Sequence, residues 1–359
     1  MTVRVAIFLD RDRRREEEVA FSRLAVGLAA DGTRSTLVLA TDAEDDPRES
    51  PETVEGPIPT IQSPMDLPFW IRRRLATAIL DRIEDTGFGR PDVIVACGRG
   101  CLALAATSAE LLEIPLVAEV RDRREVDAAV RIPSITVIAA TSKLQHRAAR
   151  RIGEDRTTSL PIPVPRIRSS HDRDRGLLVA LGPVGDLNAW KAMIDGLAGP
   201  GGALPGMQHL ALGIGLGQKD ASIWRRLRGT PMADHMSSFD HTDHMRPLLA
   251  GADVILAPDR DQAIRSIELQ ARISGGVVIA ADDRLRDDRS EASGDRLLTP
   301  AEARQSGVWR EATRQALLHA PSLASASHAR SSLVSNVAPR WAAVLETIVH
   351  GDATPIGHS

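Results

Sequence analysis

At 359 residues the chain is too long for one ordinary core and fits two domains of typical size. Hydrophobic residues at 43% and charged residues at 26% exclude a disordered or fibrous chain, and a net charge of -3 offers nucleic acid no basic field. No apolar run reaches the roughly 18 residues of a membrane span, and MTVRVAIFLD lacks the pattern of a signal peptide, so a cytoplasmic protein is expected.

In chain order, continuous apolar runs at residues 3–9, 35–40, 92–96, 116–120 and 136–140 predict strands covered on both faces. Amphipathic stretches at 17–30, 68–85, 101–112 and 142–151 predict the helices between them. Alternation of this kind builds a parallel sheet through right-handed crossovers. PIPVPRIRSSHDRDR, rich in proline and charge and without apolar period, reads as linker. The pattern then restarts, with strands at 177–181, 209–213, 236–239, 253–257 and 277–280. Helices are expected at 189–197, 221–227, 245–250, 263–274 and 300–320, and a last one over 333–349 stops at Gly351. The expected plan is an N-terminal domain at 1–165, a linker at 166–175 and a C-terminal domain at 176–330. A final helix within 331–351 packs back toward the first domain. The fold class is α/β: two Rossmann-like, doubly wound parallel-sheet domains facing a cleft.

Two such domains resemble the GT-B architecture of nucleotide-sugar glycosyltransferases, a plan that also serves epimerases and phosphorylases. Local sequence narrows the resemblance to the retaining family-4 glycosyltransferases. VAFSRLAVGLAADGTRSTLVLATD resembles their first helix and second strand, and PDVIVACGRGCLALAATSAELLEIPLVAEVRD their third and fourth units. ITVIAATSKLQHRAARRIGEDRTTSLPIPVP is similar to the end of their N-terminal domain. LLAGADVILAPDRDQ resembles the strand leading into the donor site. LQARISGGVVIAA lies where the family has a Leu-Glu-Ala helix followed by Gly-x-Pro-Val-Val-Ala.

The resemblance implies transfer of a sugar from a nucleotide-diphosphate donor to a hydroxyl acceptor: a glycan, a lipid-linked molecule or a small molecule. It implies no metal and no cofactor beyond the donor substrate. The family's two donor-site glutamates, eight positions apart, fall on Gln262 and Gln270. Glutamine keeps the length and loses the charge, so a charge-assisted bond of ~1.5–3 kcal/mol becomes a neutral one of ~0.5–1.5. Glu268 is no simple substitute, because on a helix it faces about 200° away from Gln270. The competing reading makes both glutamines decoration on a surface helix. Lys191 matches the family's phosphate lysine, Pro183 stands at its arginine position, and Arg265 is the candidate replacement. Gly182 and Gly275 complete the implied donor set, with Arg99 and Asp122 on the acceptor side. The alternative function is a catalytically degenerate GT-B module that binds a nucleotide, glycan or protein partner. An epimerase ranks last, since its supporting histidine and carboxylates are missing.

Other clusters admit two readings. The run from Asp10 to Glu18 replaces the glycines usual after the first strand: either an arginine cluster for an anion or, the expected case, a solvated helix start. Asp234, His235, Asp240, His241, Asp243 and His244 match no metal-ligand spacing and read as a polar loop. Cys97 and Cys101 at a strand-to-helix turn give no disulfide framework and read as structural or substrate-lining. The stretch from Phe69 to Leu75 is either a basic, aromatic face for peripheral contact with the inner membrane surface or, as expected, a helix packing Trp70, Leu75 and Ile79 on its sheet. Asp122 is either an acceptor-side group or a partner of Arg121 and Arg123.

Overall fold

A computed structural model describes residues 2–41, 51–54, 56–165, 176–182, 184–198, 204, 207–213, 218–230, 232–238, 251–260, 264–282, 295–318 and 330–351. They divide into an N-terminal unit (Met1–Pro165 with Ser332–Ser359) and a C-terminal unit (Arg166–Ser331).

In the N-terminal unit the strands are β1 (Arg4–Leu9), β2 (Arg34–Ala40), β3 (Glu52–Val54), β4 (Thr60–Ser63), β5 (Val93–Cys97), β6 (Leu116–Val120), β7 (Thr136–Ala139) and β8 (Thr157–Ser159). They form one sheet in the order β3-β4-β2-β1-β5-β6-β7-β8, parallel except for β3 against β4. Every residue of β5 and β6 is buried, as strands covered on both faces require, and β6 carries the buried Glu119 within its apolar run. The helices are α1 (Arg11–Ala30), α2 (Phe69–Asp85), α3 (Arg99–Leu112), α4 (Arg123–Ala129) and α5 (Ser142–Ile152). Asp10, Asp122 and Thr141 cap α1, α4 and α5 by accepting a first-turn N–H.

The C-terminal unit repeats the plan with β9 (Leu177–Leu181), β10 (His209–Gly213), β11 (Met236–Ser238), β12 (Val254–Ala257), β13 (Val277–Ala281) and β14 (Arg296–Leu298). Its all-parallel order is β11-β10-β9-β12-β13-β14. Its helices are α6 (Leu187–Ala198), α7 (Gln218–Arg228), α8 (Ser266–Ile273) and α9 (Ser306–Leu318). Trp190 of α6 and Trp309 of α9 fill one side of the sheet. The chain then returns to the N-terminal unit as α10 (Val334–His350), whose Val337, Trp341 and Leu345 share a core with Phe21, Leu24 and Leu28 of α1. A Cβ at Gly27 would stand 2.7 Å from that of Ala338, so the α1–α10 crossing depends on glycine there.

Two expectations are corrected. Trp70 does not pack on the sheet: it is 69% exposed beside Phe69 at 74%, while Leu75 and Ile79 are buried with Ala76, Leu80 and Ile83. The segment after β1 is a helix start, as expected, but only part of it is solvated: Asp12 and Arg15 are exposed while Arg13 and Glu17 are buried. The expected helix at 245–250 and most of the Asp/His cluster lie outside the described residues; Asp234 and His235 sit exposed on a short turn. Among the described residues no three His, Cys, Asp or Glu side chains converge as metal ligands, and no helix is long and apolar enough to cross a membrane.

Candidate functional site

A doubly wound sheet opens a crevice where successive crossovers leave in opposite directions, at the carboxyl ends of the two strands that flank the reversal. In the C-terminal unit those strands are β9 and β12; in the N-terminal unit they are β1 and β5. Each unit is therefore built up from its own reversal point.

At the C-terminal unit's reversal point Gly182 follows β9 and Arg265 precedes α8. The buried Arg265 guanidinium donates from Nη1 to the Gly182 carbonyl, tying the two turns together. Asp259, two residues past β12 and 2% exposed, reaches the same turn. Its Oδ1 accepts the N–H groups of Gly185, at 3.0 Å, and of Asp186, while Oδ2 accepts Trp190 Nε1 at 2.7 Å. Gly185 is required for that approach, since a Cβ there would meet Asp259 Oδ1 at 2.9 Å. Asp220 of α7 accepts the Val184 N–H at 3.0 Å. Asp186 accepts those of Asn188 and Ala189 at 3.0 and 3.2 Å, and its other oxygen pairs with Arg304 at 3.1 Å. Partial burial works against the Asp186 charge, but these N–H donors and Arg304 hold its carboxyl below the usual range.

Lys191, on the second turn of α6, is half-buried and makes no hydrogen bond or ion pair with another described residue. Lys219 donates to the Gly185 carbonyl at 2.9 Å. Gln270 is 1% exposed, so α8 is no surface helix at that position, and among the described residues neither end of its amide has a partner. Glu268 is buried too. Gly275 is not brought to this place: with φ +90° it turns the chain between α8 and the amino end of β13, whereas Gly182 follows the carboxyl end of β9. Gln262 and Pro183 lie outside the described residues.

At the N-terminal unit's reversal point Asp10 plays the corresponding part. Its carboxylate accepts the N–H of Arg13 at 2.9 Å and of Gly100, in the first turn of α3, at 3.0 Å. Gly98, at φ +98°, leaves room for it. Behind Asp10 lies a buried ion network. Arg13 forks onto both oxygens of Glu125 at 2.9 and 2.8 Å; Arg121 pairs with Glu17 at 2.7 Å and with Glu119, and its guanidinium stands over the Phe21 ring. Burial pushes the Glu125 carboxyl up to about 7 despite Arg13, and burial likewise raises Asp10. Arg99 is exposed at the head of α3. Asp122 is neither ion-paired with Arg121 nor free: it caps α4 by accepting the Glu125 N–H at 2.7 Å. Cys97 and Cys101 are buried, free and held well above the usual thiol range by that burial, so neither is poised as a thiolate.

Sequence reasoning did not find Asp259, Asp220 or Asp186. For Asp259 the usable signal was position: an acid two residues past a strand at the reversal point, much as Asp10 directly follows β1.

No protein-family model matches the sequence, and no curated protein matches it. Solved structures do. A sucrose-phosphate synthase from Thermosynechococcus elongatus aligns with a TM-score of 0.70 at 12% identity, over 98% of this chain and 100% of that one. HepE from Anabaena, solved with UDP and glucose, aligns at 0.68 and 16% identity, over 96% and 100%. A Listeria monocytogenes protein assigned as a UDP-N-acetylglucosamine 2-epimerase aligns at 0.64 and 11%, over 99% and 98%. At such identities the likeness is one of fold. The chain has two parallel-sheet α/β units on the GT-B plan, a plan shared by transferases and an epimerase.

Proposed function

We propose that the chain is a glycosyltransferase, with the C-terminal unit holding a nucleotide-diphosphate sugar and the N-terminal unit serving a hydroxyl acceptor. One observation carries the reading: Gly182 and Arg265, named from sequence as donor contacts, are hydrogen-bonded to each other at the reversal point of the C-terminal sheet. HepE, solved with UDP and glucose on the same fold, adds support. In the retaining mechanism that the resemblance implies, the acceptor oxygen bonds to the sugar's anomeric carbon as the bond to the diphosphate breaks. The acceptor proton passes to a departing phosphate oxygen, so no protein nucleophile is needed. Lys191 and Arg265 offset the charge that develops on the diphosphate. Gln262 and Gln270 hydrogen-bond donor hydroxyls as neutral amides.

A second reading, a module that binds the donor without turning it over, is favoured by the two amides where the family has carboxylates. Calorimetric titration with UDP, GDP, ADP and their sugars, followed by donor hydrolysis, tests both. Binding with hydrolysis supports the enzyme. Binding without it, with hydrolysis restored by Gln262→Glu and Gln270→Glu, selects the degenerate module. Binding to none of these ligands overturns the donor site itself.

Peripheral contact with an anionic membrane belongs to the same proposal. It is supported by the exposed Phe69–Trp70 pair, ring centroids 5.2 Å apart, next to the exposed Arg73 and Arg74 on α2.

A further inference from the structure

Within the N-terminal unit a small, half-open pocket lies between α3 and α4 at the carboxyl ends of β5 and β6. Leu102, Val120 and Ala129 are among its apolar walls, and its side-chain acceptors are Glu119 and Glu125. Glu119 is 3% exposed. Its Oε1 accepts from Arg121, whereas Oε2 accepts no hydrogen bond among the described residues and has the Arg13 guanidinium 3.7 Å away. Glu125 accepts from Arg13 on both oxygens and from the Arg121 N–H on Oε2, which leaves Oε1 room for one more donor. An enclosed carboxylate oxygen that accepts nothing bears its full desolvation cost, so a donor brought to this pocket is bound strongly. Charge decides which donor. Glu119 and Asp122 act with burial to raise the Glu125 carboxyl against the pull of Arg13, so a further cation is favoured beside it. Arg99, the one cation lining the pocket, is exposed and screened by water, while the two acids are enclosed.

We infer that this pocket binds the ammonium end of an amine-bearing small molecule, held by Glu119 and Glu125. An ammonium brings three donors, no acceptor and a positive charge, which matches two enclosed carboxylates in an otherwise apolar wall. A hydroxyl of the same size brings one donor and no charge. The pairs to Arg13 and Arg121 fix both carboxylates before any ligand arrives, so little ordering is needed on binding. The inference rests on the proposed transferase activity only for what the molecule is: an acceptor that carries an amino group beside the hydroxyl to be glycosylated.

The experiment titrates methylammonium chloride into the full chain while the Glu125 carboxyl is followed by carbon-13 NMR, with methanol and sodium chloride as matched controls. Methylammonium should saturate and move the Glu125 midpoint down from about 7, because a neighbouring cation favours the carboxylate. Methanol and sodium chloride should leave it in place. Glu119→Gln keeps the shape and removes one charge, so methylammonium should bind about tenfold more weakly, the gap between a charge-assisted and a neutral bond. Glu119 also pairs with Arg121, so thermal unfolding checks that this variant is folded. Leu102→Phe narrows the pocket from its apolar wall with every charge kept, and should abolish saturation by itself. No saturation by methylammonium, equal binding of methanol, or saturation that survives Leu102→Phe overturns the inference. Nucleotide binding without methylammonium binding removes the pocket and spares the donor site. Methylammonium binding in a chain that takes no nucleotide sustains the pocket and sinks the transferase reading, so the two fail separately.

Discussion

The two units set an acid on the N–H donors of the same topological point and then treat its charge in opposite ways. In the N-terminal unit Asp10 is backed by side-chain ions: Arg13 and Arg121 among Glu17, Glu119 and Glu125. In the C-terminal unit Asp259 is held by two backbone N–H groups and an indole. Side-chain ions therefore crowd the end of the first sheet, where Glu119 and Glu125 also line a small cavity with Arg99 and Leu102. Backbone donors take no extra volume, and beside them Lys191 and the buried Gln270 amide have no described partner. The contrast suggests which end is built for rigidity and which for a ligand.

The largest expected effect comes from breaking the ion network. Arg121→Ala strands Glu17 in a buried site and leaves Glu119 with Arg13 alone, and removing one partner of a buried pair costs about 3–5 kcal/mol. Urea unfolding followed in the N-terminal unit should show that loss. A change under about 1 kcal/mol would mean that the network is not what stiffens this end.

Next in size is a pH dependence confined to the N-terminal unit. Burial raises the folded Glu125 carboxyl from 4.5 to about 7. An acid raised in the folded state contributes its stabilisation in full below the unfolded value, and loses it as pH rises through the folded one. The window therefore runs from pH about 4.5 to about 7, and the shift corresponds to about 3 kcal/mol. Arg13, Glu119 and Asp122 face the group and keep the sign, because burial outweighs Arg13. The stability gap between wild type and Glu125→Gln should widen as pH falls from 8 to 5. A gap that stays flat would remove Glu125 as the titrating group.

How much of this was legible follows from the same contrast. Strands over 116–120, 177–181 and 209–213 were read to the residue because each has at least three successive apolar positions, a pattern that survives any context. The short strands ETV, TIQS, TTS and RLL were missed: three or four residues with polar members carry no period. Helix α4, RREVDAA, shows too few apolar positions to announce itself. Arg13 and Glu17 looked solvated because charge in a first turn usually is; they are buried by Glu119, Arg121 and Glu125, roughly a hundred positions away, which no local window contains. The Gly182–Arg265 tie was half legible, as two donor candidates whose mutual contact only the fold reveals. Gly275 was misplaced by the motif, which names a glycine without saying at which end of its helix the ligand lies.

The smallest expected effect on stability is the most informative about partners. Phe69 and Trp70 stand clear of the core, so Phe69→Ala with Trp70→Ala should shift stability by no more than about 0.5 kcal/mol, as exposed positions do. Both residues lie on the first turn of α2, and Arg73 and Arg74 follow on its next turn, so aromatic rings and basic side chains share one exposed region. Rings at that place gain by entering a lipid interface, and the arginines add attraction to anionic headgroups of about 1 kcal/mol each. Sedimentation with vesicles of phosphatidylglycerol and phosphatidylcholine should therefore carry the wild type down and leave the double variant in solution, with unchanged unfolding for both. Equal sedimentation of the two, or none by the wild type, would leave the aromatic pair without a lipid role and return the contrast between the units to their buried charges alone.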